Sequence, residues 1–260
     1  VIYNCDCTKG VQALREGSFD IVITSPPYNN SRQSGSLSNH ERRYKDFEDN
    51  MSNEDYIDWT VKLFNALDEK MSKDGVILYN MSYGGENPTL MWLTIADIIR
   101  RTNFTVADCL IWKKKSALPN NVSPNKMTRI TEFIFVISRK SEYKTFRCNK
   151  KVKSVSKTGQ KYYYNEFNFF EAKNNDGSNP LNKATFSTDM VINLLNKYAK
   201  KGDTILDTFN GTGTTSIACV EKGFNFIGFE ISKEQCEYAV DRINKNVIHK
   251  KPLRKVPKRA

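Results

Sequence analysis

The stretch 204-TILDTFNGTGTTSIACVEKGFNFIGFE-230 decides the fold. Its first four residues form an apolar run typical of a buried strand, and residues 214 to about 222 have the pattern of a helix. Residues 225–230 are strand-like again. Two glycines separate the first strand from the helix, where the chain must turn tightly and the helix N-terminus offers free N–H groups to a carboxylate or phosphate. The stretch therefore predicts strand, glycine turn, helix and strand.

Glu230 closes the second of these strands, and an acidic side chain there can accept hydrogen bonds from both hydroxyls of a ribose. The full G-x-G-x-x-G of dinucleotide sites is absent, so a smaller adenosine ligand is favoured over a dinucleotide. The alternative for Glu230 is a solvated strand end. The candidate cofactor-binding residues of this stretch are Asp207, Phe209, Gly211, Gly213, Thr214, Thr215 and Glu230.

Outside this stretch, apolar runs alternate with amphipathic segments, which is the pattern of a parallel α/β sheet. The predicted strands are residues 19–24, 76–79, 104–112 and 131–138, and the predicted helices are 53–71, 89–101 and 233–245. Ser52 and Asp55 have the spacing of a capping box, and residues 73–75 are predicted to form a turn. The 260 residues are enough for one large α/β domain with a sizeable core.

Two regions break this rhythm. Residues 29–45 are polar and predict a long loop. Between Lys140 and Lys173 there are nine Lys or Arg against three Glu. The aromatic residues interleaved with them are Tyr143, Phe146, Tyr162, Tyr163, Tyr164, Phe167, Phe169 and Phe170. This composition suits phosphate contacts with base stacking; the alternative is a β-rich subdomain whose aromatic residues form its own core.

The composition excludes several classes of protein. Forty Lys and Arg against 29 Asp and Glu give a net charge of +11, which favours an acidic partner such as nucleic acid. Seven of the basic residues lie from Lys245 onward, with no acidic residue. No apolar run is long enough to span a membrane. Six scattered cysteines and two histidines argue against a disulfide scaffold, a metal site or a His-based hydrolase, and predict a reducing cytoplasm.

A second motif, Thr24-Ser25-Pro26-Pro27-Tyr28, follows the predicted strand FDIVIT. Two prolines remove two N–H donors and leave carbonyl acceptors, Ser25 adds a hydroxyl, and Tyr28 supplies a stacking face. Hydrogen bonds from a base amine to Ser25 and the Pro26 carbonyl would favour a tetrahedral nitrogen whose lone pair can attack an electrophilic methyl group. The alternative is an ordinary proline strand end.

Together, T-S-P-P-Y (24–28) and D-x-F-x-G-x-G-T-T (207–215) resemble the catalytic and cofactor motifs of S-adenosylmethionine-dependent DNA amino-methyltransferases. These enzymes methylate the N4 amine of cytosine or the N6 amine of adenine. The order of the motifs resembles the β class of the family. It implies an α/β, circularly permuted, Rossmann-like methyltransferase fold, with a mostly parallel sheet, helices on both faces and a basic-aromatic target-recognition insert.

The resemblance also implies a division of the chain. The expected parts are a catalytic half (1–139), a target-recognition insert (140–182), a cofactor-binding half (183–245) and a basic tail (246–260). Within these parts, Asp6 resembles an acidic residue placed at the cofactor's adenine. Glu132, in TEFIFVIS, matches an acidic residue near the target base.

The segment before the glycine turn resembles the one that lines the methionine end of the cofactor. It reads Lys183-Ala184-Thr185-Phe186 and is followed by Leu194-Leu195. Thr185 and Phe186 are therefore implied to bind the cofactor. Asn182 and Ser187 stand where the family often has His and Pro.

The reaction implied is direct, in-line methyl transfer from the sulfonium of S-adenosylmethionine to the amine of a base flipped out of the duplex, with no metal and no covalent enzyme intermediate. The implied catalytic residues are Ser25, Pro26, Pro27 and Tyr28. Serine before Pro-Pro resembles the N4-cytosine enzymes, whereas aspartate resembles the N6-adenine enzymes. We therefore favour cytosine, with adenine as the alternative.

Other interpretations of the sequence stay open. The chain could be a non-catalytic DNA-binding relative, or it could methylate amines of RNA or of a protein glutamine. The basic-aromatic insert favours double-stranded DNA over a small peptide. The expected partners are DNA and a cognate restriction endonuclease, with no membrane, and the protein is expected to be a monomer or homodimer.

Overall fold

The computed structural model describes residues 1–29, 51–83, 87–116, 124–177, 181–182 and 185–250, with side chains described as far as residue 245. The strands are β1 (Ile2–Asn4), β2 (Phe19–Thr24), β3 (Met71–Met81), β4 (Phe104–Lys114), β5 (Thr131–Arg139), β6 (Val152–Val155), β7 (Lys161–Tyr163), β8 (Phe169–Ala172), β9 (Thr204–Asp207) and β10 (Asn225–Glu230). The helices are α1 (Cys7–Ala13), α2 (Asn53–Lys70), α3 (Leu90–Arg101), α4 (Thr188–Tyr198), α5 (Thr214–Lys222) and α6 (Lys233–Lys250).

Eight of the strands form one sheet in the order β1-β10-β9-β2-β3-β5-β4-β8. All neighbours pair in parallel except β5, which is antiparallel to β3 and to β4. The carboxyl ends of seven strands and the amino end of β5 therefore meet at one edge. The predicted mostly parallel α/β fold is confirmed.

Helices cover both faces of this sheet, as predicted. Alternate residues of a strand point to opposite faces, so Val22 packs with α1, α2 and α3, whereas Ile21 and Ile23 pack with α4 and α5. The strand segment 19–24 is buried along nearly its whole length because both faces are covered.

The predicted elements are all present, with shifts at their ends. Helix α2 begins after Ser52, whose side chain accepts from the Asp55 amide as the capping box predicts. Strand β3 is longer than predicted and includes the predicted turn. Asp74 has a positive φ of 57°, and the pairing with β2 slips between Phe19 and Ile21, so the turn is an irregularity inside the strand.

The aromatic residues of the predicted insert do not make a core of their own within the described residues. Strands β6 and β7 form a separate two-stranded hairpin in which every strand residue is exposed. Phe167 is 78% exposed, whereas Phe170 on β8 is buried in the core of the main sheet. The alternative of a self-contained aromatic core is therefore wrong, while the domain boundaries stay predictions.

The predicted loop 29–45 lies outside the described residues from position 30 onward, and so does the tail after residue 250. In the part of the chain that is described, no helix has the length and apolar character needed to cross a membrane.

Candidate active site

A cleft of about 400 Å³ opens at the edge where the parallel strands end, a common position for ligands in open α/β sheets. Both sequence motifs reach it, because β2 and β9 are neighbours. Thr24, at the end of β2, donates a hydrogen bond of 2.7 Å to Asp207, at the end of β9. The predicted residues that line the cleft are Asp6, Ser25, Pro26, Pro27, Tyr28, Glu132, Thr185, Phe186, Phe209, Gly211, Thr214 and Glu230.

Five side chains form a hydrogen-bonded cluster at one side of the cleft, which we call the amine corner: Ser25, Tyr28, Asn80, Lys114 and Glu132. The Ser25 hydroxyl donates to Tyr28 Oη (3.2 Å), and Tyr28 Oη donates to Glu132 Oε2 (3.3 Å). Glu132 Oε1 pairs with Lys114 Nζ at 2.5 Å. The resemblance predicted Glu132 near the target base, and the structure puts it beside Ser25 and Tyr28.

Sequence reasoning missed Asn80 and Lys114. The Asn80 amide donates to Glu132 Oε2 (2.9 Å), Tyr28 Oη (3.1 Å) and Ser25 Oγ (3.4 Å). Lys114 Nζ also lies 5.3 Å from the centroid of the Trp112 ring, a cation–π contact. Both residues follow apolar runs at the carboxyl ends of strands. A polar residue in that position was the signal from which the sequence could have predicted them as site residues.

The two prolines are buried, and their carbonyl groups have different surroundings. The Pro27 carbonyl accepts from Tyr56 Oη at 2.8 Å, so α2 holds the turn in place. Among the described residues, none donates to the Pro26 carbonyl. That carbonyl and the Ser25 hydroxyl are the acceptors which the sequence predicted for a base amine.

The turn after β9, residues 207–215, is the second side of the cleft, and we call it the cofactor turn. Gly213 has a φ of 85°, and a Cβ atom there would lie 2.9 Å from the Ala239 Cβ, so the turn and its packing on α6 require glycine. Glu230 Oε2 accepts from the Gly211 amide (2.7 Å) and Oε1 accepts from the Ser232 amide (2.9 Å).

Three predicted cofactor residues are not on the wall of the cleft: Asp207, Gly213 and Thr215. Asp207 is buried, and its carboxylate accepts from Thr24, from Thr215 (2.6 Å) and from the Phe209 amide (3.1 Å). Burial raises the pKa of Asp207, although these hydrogen bonds oppose the shift. These three residues therefore shape the turn and do not line the cleft.

The remaining predicted cofactor residues surround the turn. Asp6 caps α1, where its carboxylate accepts from the Lys9 amide at 3.0 Å. Thr185 and Phe186 lie on the wall just before α4. Asn182 is buried and donates to Gln235 Oε1, while Ser187 caps α4 by accepting from the Met190 amide. The cleft is also lined by Trp59, which packs against Phe209 and was not predicted.

The thiols near the cleft are poorly suited to nucleophilic chemistry. Burial raises the pKa of Cys7 to about 12 and also raises the pKa of Cys5, and a thiolate is the reactive form of cysteine. No group of three His, Cys, Asp or Glu residues suited to a metal ion occurs among the residues that the structure describes.

Residues 19–241 match the family model for DNA methylase of the N6/N4 type. Two relatives align with most of this chain and over most of their own length. The Type II methyltransferase M.SmaI of Serratia marcescens is 27% identical over 92% of this chain and 88% of its own. The Type II methyltransferase M.Cfr9I of Citrobacter freundii is 21% identical over 93% of this chain and 87% of its own.

Solved structures share the fold. The PvuII DNA methyltransferase (cytosine-N4-specific) superposes with a TM-score of 0.68 at 16% identity, covering 95% of this chain and 91% of that chain. The M1.HpyAVI–SAM complex superposes with a TM-score of 0.59 at 21% identity, covering 94% and 98%.

Proposed function

We propose that this chain, which belongs to the N6/N4 DNA methylase family, transfers a methyl group from S-adenosylmethionine to the N4 amine of a cytosine in duplex DNA. Family membership makes the chain a DNA methyltransferase. The choice of cytosine and the roles of individual residues are our proposal. It is carried by one observation: the acceptors of the 24–28 motif and the cofactor turn line a single cleft.

The residues of the cleft fit S-adenosylmethionine. The volume of about 400 Å³ lies within the range of small-ligand sites. Glu230, held by two backbone amides, would accept the ribose hydroxyls, and Asp6 lies on the wall where the adenine is expected. Thr185 and Phe186 would contact the methionine end. One protein of this fold is described as a complex with SAM. When bound, S-adenosylmethionine supplies a sulfonium methyl group to the amine nitrogen.

Ser25 and the Pro26 carbonyl would hold the amine of the target base. Both are acceptors, so they would bind its two N–H groups and leave the nitrogen lone pair for the methyl carbon. Tyr28 would stack on the base. The base must leave the helix to reach this corner, at a cost of about a few kcal/mol.

Cytosine is favoured because serine precedes the two prolines, and because the protein of the TM-score 0.68 superposition is described as cytosine-N4-specific. The test is to methylate DNA with the purified protein and identify the modified nucleoside by mass after digestion. We expect N4-methylcytosine, and N6-methyladenine would overturn the choice of base.

The exposed β6–β7 hairpin is proposed to contact the DNA. Lys153 and Lys161 lie on its strands, and Tyr162, Tyr163 and Tyr164 are each about half exposed. Lysines supply phosphate contacts whose strength depends on salt, and exposed rings can stack on bases. The apolar surface of these rings faces solvent in the free protein, and a bound nucleic acid would cover it.

Replacing Lys153 and Lys161 together by alanine tests this contact. We expect the salt dependence of log K for DNA binding to flatten by about two units, roughly 0.9 for each phosphate that a lysine no longer neutralises. The control replaces Lys9 and Lys62, exposed on α1 and α2, and should leave the slope unchanged. Equal slopes in the two double variants would contradict the assignment.

The finer statements about partners and place also belong to the proposal. Relatives named as Type II methyltransferases support a cognate restriction endonuclease as a functional partner. We propose that the protein acts in the cytoplasm, as a monomer or homodimer.

A further inference from the structure

The hydrogen bonds of the amine corner have a fixed direction. Glu132, as a carboxylate paired with Lys114, can only accept. Tyr28 therefore directs its hydroxyl hydrogen to Glu132 Oε2, and Ser25 directs its own to Tyr28 Oη. The Asn80 amide donates to both hydroxyl oxygens, so neither hydroxyl can point back at it. The order Ser25 to Tyr28 to Glu132 follows.

Asn80 is held in the site for its donor side. The residue is 3% exposed, and its carbonyl oxygen has no hydrogen-bond partner among the described residues. A buried acceptor without a partner is unfavourable. Its amide nitrogen, in contrast, reaches three acceptors of the amine corner. The side chain thus fixes the direction of the two hydroxyls, although one of its own polar atoms is left unsatisfied.

This direction leaves one lone pair on Ser25 Oγ, because the oxygen already accepts from Asn80 and donates to Tyr28. A hydrogen of the target amine can use that lone pair. The same hydrogen becomes acidic as the bond between the nitrogen and the methyl carbon forms, since the nitrogen then gains positive charge. The amine corner therefore offers a path for that proton which leads away from the base and into the protein.

We propose that Ser25, Tyr28 and Glu132 form a proton relay that deprotonates the amine in the transition state of its methylation; this relay rests on the proposed function. One N–H bond of the cationic amine breaks, and its electron pair stays on nitrogen. The proton bonds to Ser25 Oγ as the Ser25 proton passes to Tyr28 Oη and the Tyr28 proton passes to Glu132 Oε2. The amine becomes neutral and the Glu132 carboxylate becomes a carboxylic acid, so atoms and charge balance.

Lys114 and Asn80 are positioning residues in this relay. Lys114 pairs with Glu132, and the contact of Lys114 with the Trp112 ring holds the ammonium group in place. Glu132 is 12% exposed and Lys114 is 26% exposed, so the last proton has a route to solvent at the cleft wall. The titratable groups that the described residues bring against Glu132 are Lys114 from β4 and Tyr28 from the turn after β2, while β3 contributes the uncharged Asn80.

Tyr28→Phe and Glu132→Gln test the relay in single-turnover methylation of duplex DNA. Tyr28→Phe keeps the stacking ring and removes only the relay oxygen, and Glu132→Gln ends the chain at an amide that takes no proton. We expect each to slow methyl transfer about 10- to 100-fold. The double variant should lose no more than the slower single one, because both changes cut the same path.

The pH profile separates proton transfer from packing. The wild-type rate should depend on pH through the carboxylate that ends the relay, whereas Glu132→Gln should lack that dependence. Asp58→Asn is the matched control, since Asp58 forms an exposed 2.7 Å pair with Arg101 and does not line the cleft. This variant should keep both the rate and the profile of the wild type.

The relay fails if Tyr28→Phe reacts at the wild-type rate, if the losses multiply in the double variant, or if Glu132→Gln keeps the wild-type pH profile. If Glu132→Gln does not fold, Tyr28→Phe alone tests the relay. The relay then requires a slower rate and a smaller solvent deuterium isotope effect than in the wild type. The base assignment is judged apart from this by product mass. N6-methyladenine would overturn cytosine, while the rate ratios would still judge the relay.

Discussion

The two sides of the cleft are built in opposite ways. The cofactor turn is one continuous segment, residues 207–215, whose side chains and backbone satisfy one another and are completed by Glu230 at the end of the next strand. The amine corner takes its side chains from the ends of β2, β3, β4 and β5, and they bind mainly to each other. The cofactor turn can be predicted from the spacing of residues in one segment. The amine corner depends on the order of four strands in the sheet, which one segment does not reveal.

The difference predicts different consequences of mutation. Substitutions in the cofactor turn should first lower the stability of the protein and its affinity for the cofactor, because the groups of the turn hold the backbone. Substitutions in the amine corner should lower the rate of methyl transfer, because the groups of the corner hold protons and the target amine. Four measurements test this contrast.

Asp207→Ala should have the largest effect. It leaves two hydroxyls and one backbone amide without their buried acceptor, so we expect the free energy of unfolding to fall by about 2–4 kcal/mol. Urea denaturation measures it. Asp241→Ala, an exposed aspartate on α6, is the control and should change stability by less than about 0.5 kcal/mol. Comparable losses in the two variants would show that Asp207 does not hold the turn.

Ser25→Ala should act on the rate. We expect methyl transfer to slow about 100-fold, since the amine loses an acceptor and the relay loses its first oxygen. The dissociation constant of S-adenosylmethionine, measured by isothermal titration, should stay within about 2-fold of the wild-type value. The reason is that the substitution removes no group that binds the cofactor. Ser18→Ala is the matched control at the other end of β2. Unchanged turnover in a radiolabelled methyl-transfer assay would remove Ser25 from the mechanism.

Glu230→Gln should act on cofactor affinity. The amide keeps one acceptor oxygen and turns a donor toward one of the two backbone N–H groups that the carboxylate now binds. We expect S-adenosylmethionine to bind about 10-fold more weakly, which corresponds to about 1.4 kcal/mol. The control is Glu237→Gln, exposed on α6 and paired with Lys233 at 3.8 Å. Wild-type affinity in Glu230→Gln would exclude the ribose role.

The smallest effect concerns pH. Burial raises the pKa of Asp207, so the folded protein keeps this proton to higher pH than the unfolded chain, whose aspartates titrate at about 3.9. The resulting stabilisation is complete below the unfolded pKa and is lost as pH rises through the folded pKa.

Asp207→Asn removes this titration while nearly keeping the shape of the side chain. We therefore expect the unfolding free energy of the wild type, minus that of Asp207→Asn, to fall as the pH rises above the unfolded pKa of about 3.9. Urea denaturation at a series of pH values measures the difference. A difference that is constant, or that rises with pH, would contradict the buried, raised-pKa carboxyl.

Much of the fold could be predicted because its signals are local. The strand 204–207, the helix 214–222 and the strand 225–230 have the bounds that the apolar pattern indicates. Ser52 caps α2 as its spacing predicts. The short strands β6, β7 and β8 were less predictable, because two of them are fully exposed and carry no burial pattern to detect.

The candidate site was predictable only in part. Ser25 and Tyr28 belong to a motif of consecutive residues, so the sequence could place them together. Asn80 lies 55 residues from Ser25 along the chain, and Glu132 lies 104 residues from Tyr28. Nothing in the pattern of one segment states what a distant segment brings beside it, and Lys114 passed unnoticed at the end of an apolar run for that reason.

The sequence by itself determined the two motifs, the alternation of strands and helices, and the segregation of basic residues into the insert and the tail. Each of these is a property of residues close together in the chain, where backbone geometry and side-chain periodicity act directly. Only the tertiary structure decided that β5 runs against its neighbours and so brings the start of its strand, with Glu132, to the edge where the others end. That choice rests on hydrogen bonding between strands far apart in sequence, and it places the carboxylate where Tyr28 can reach it.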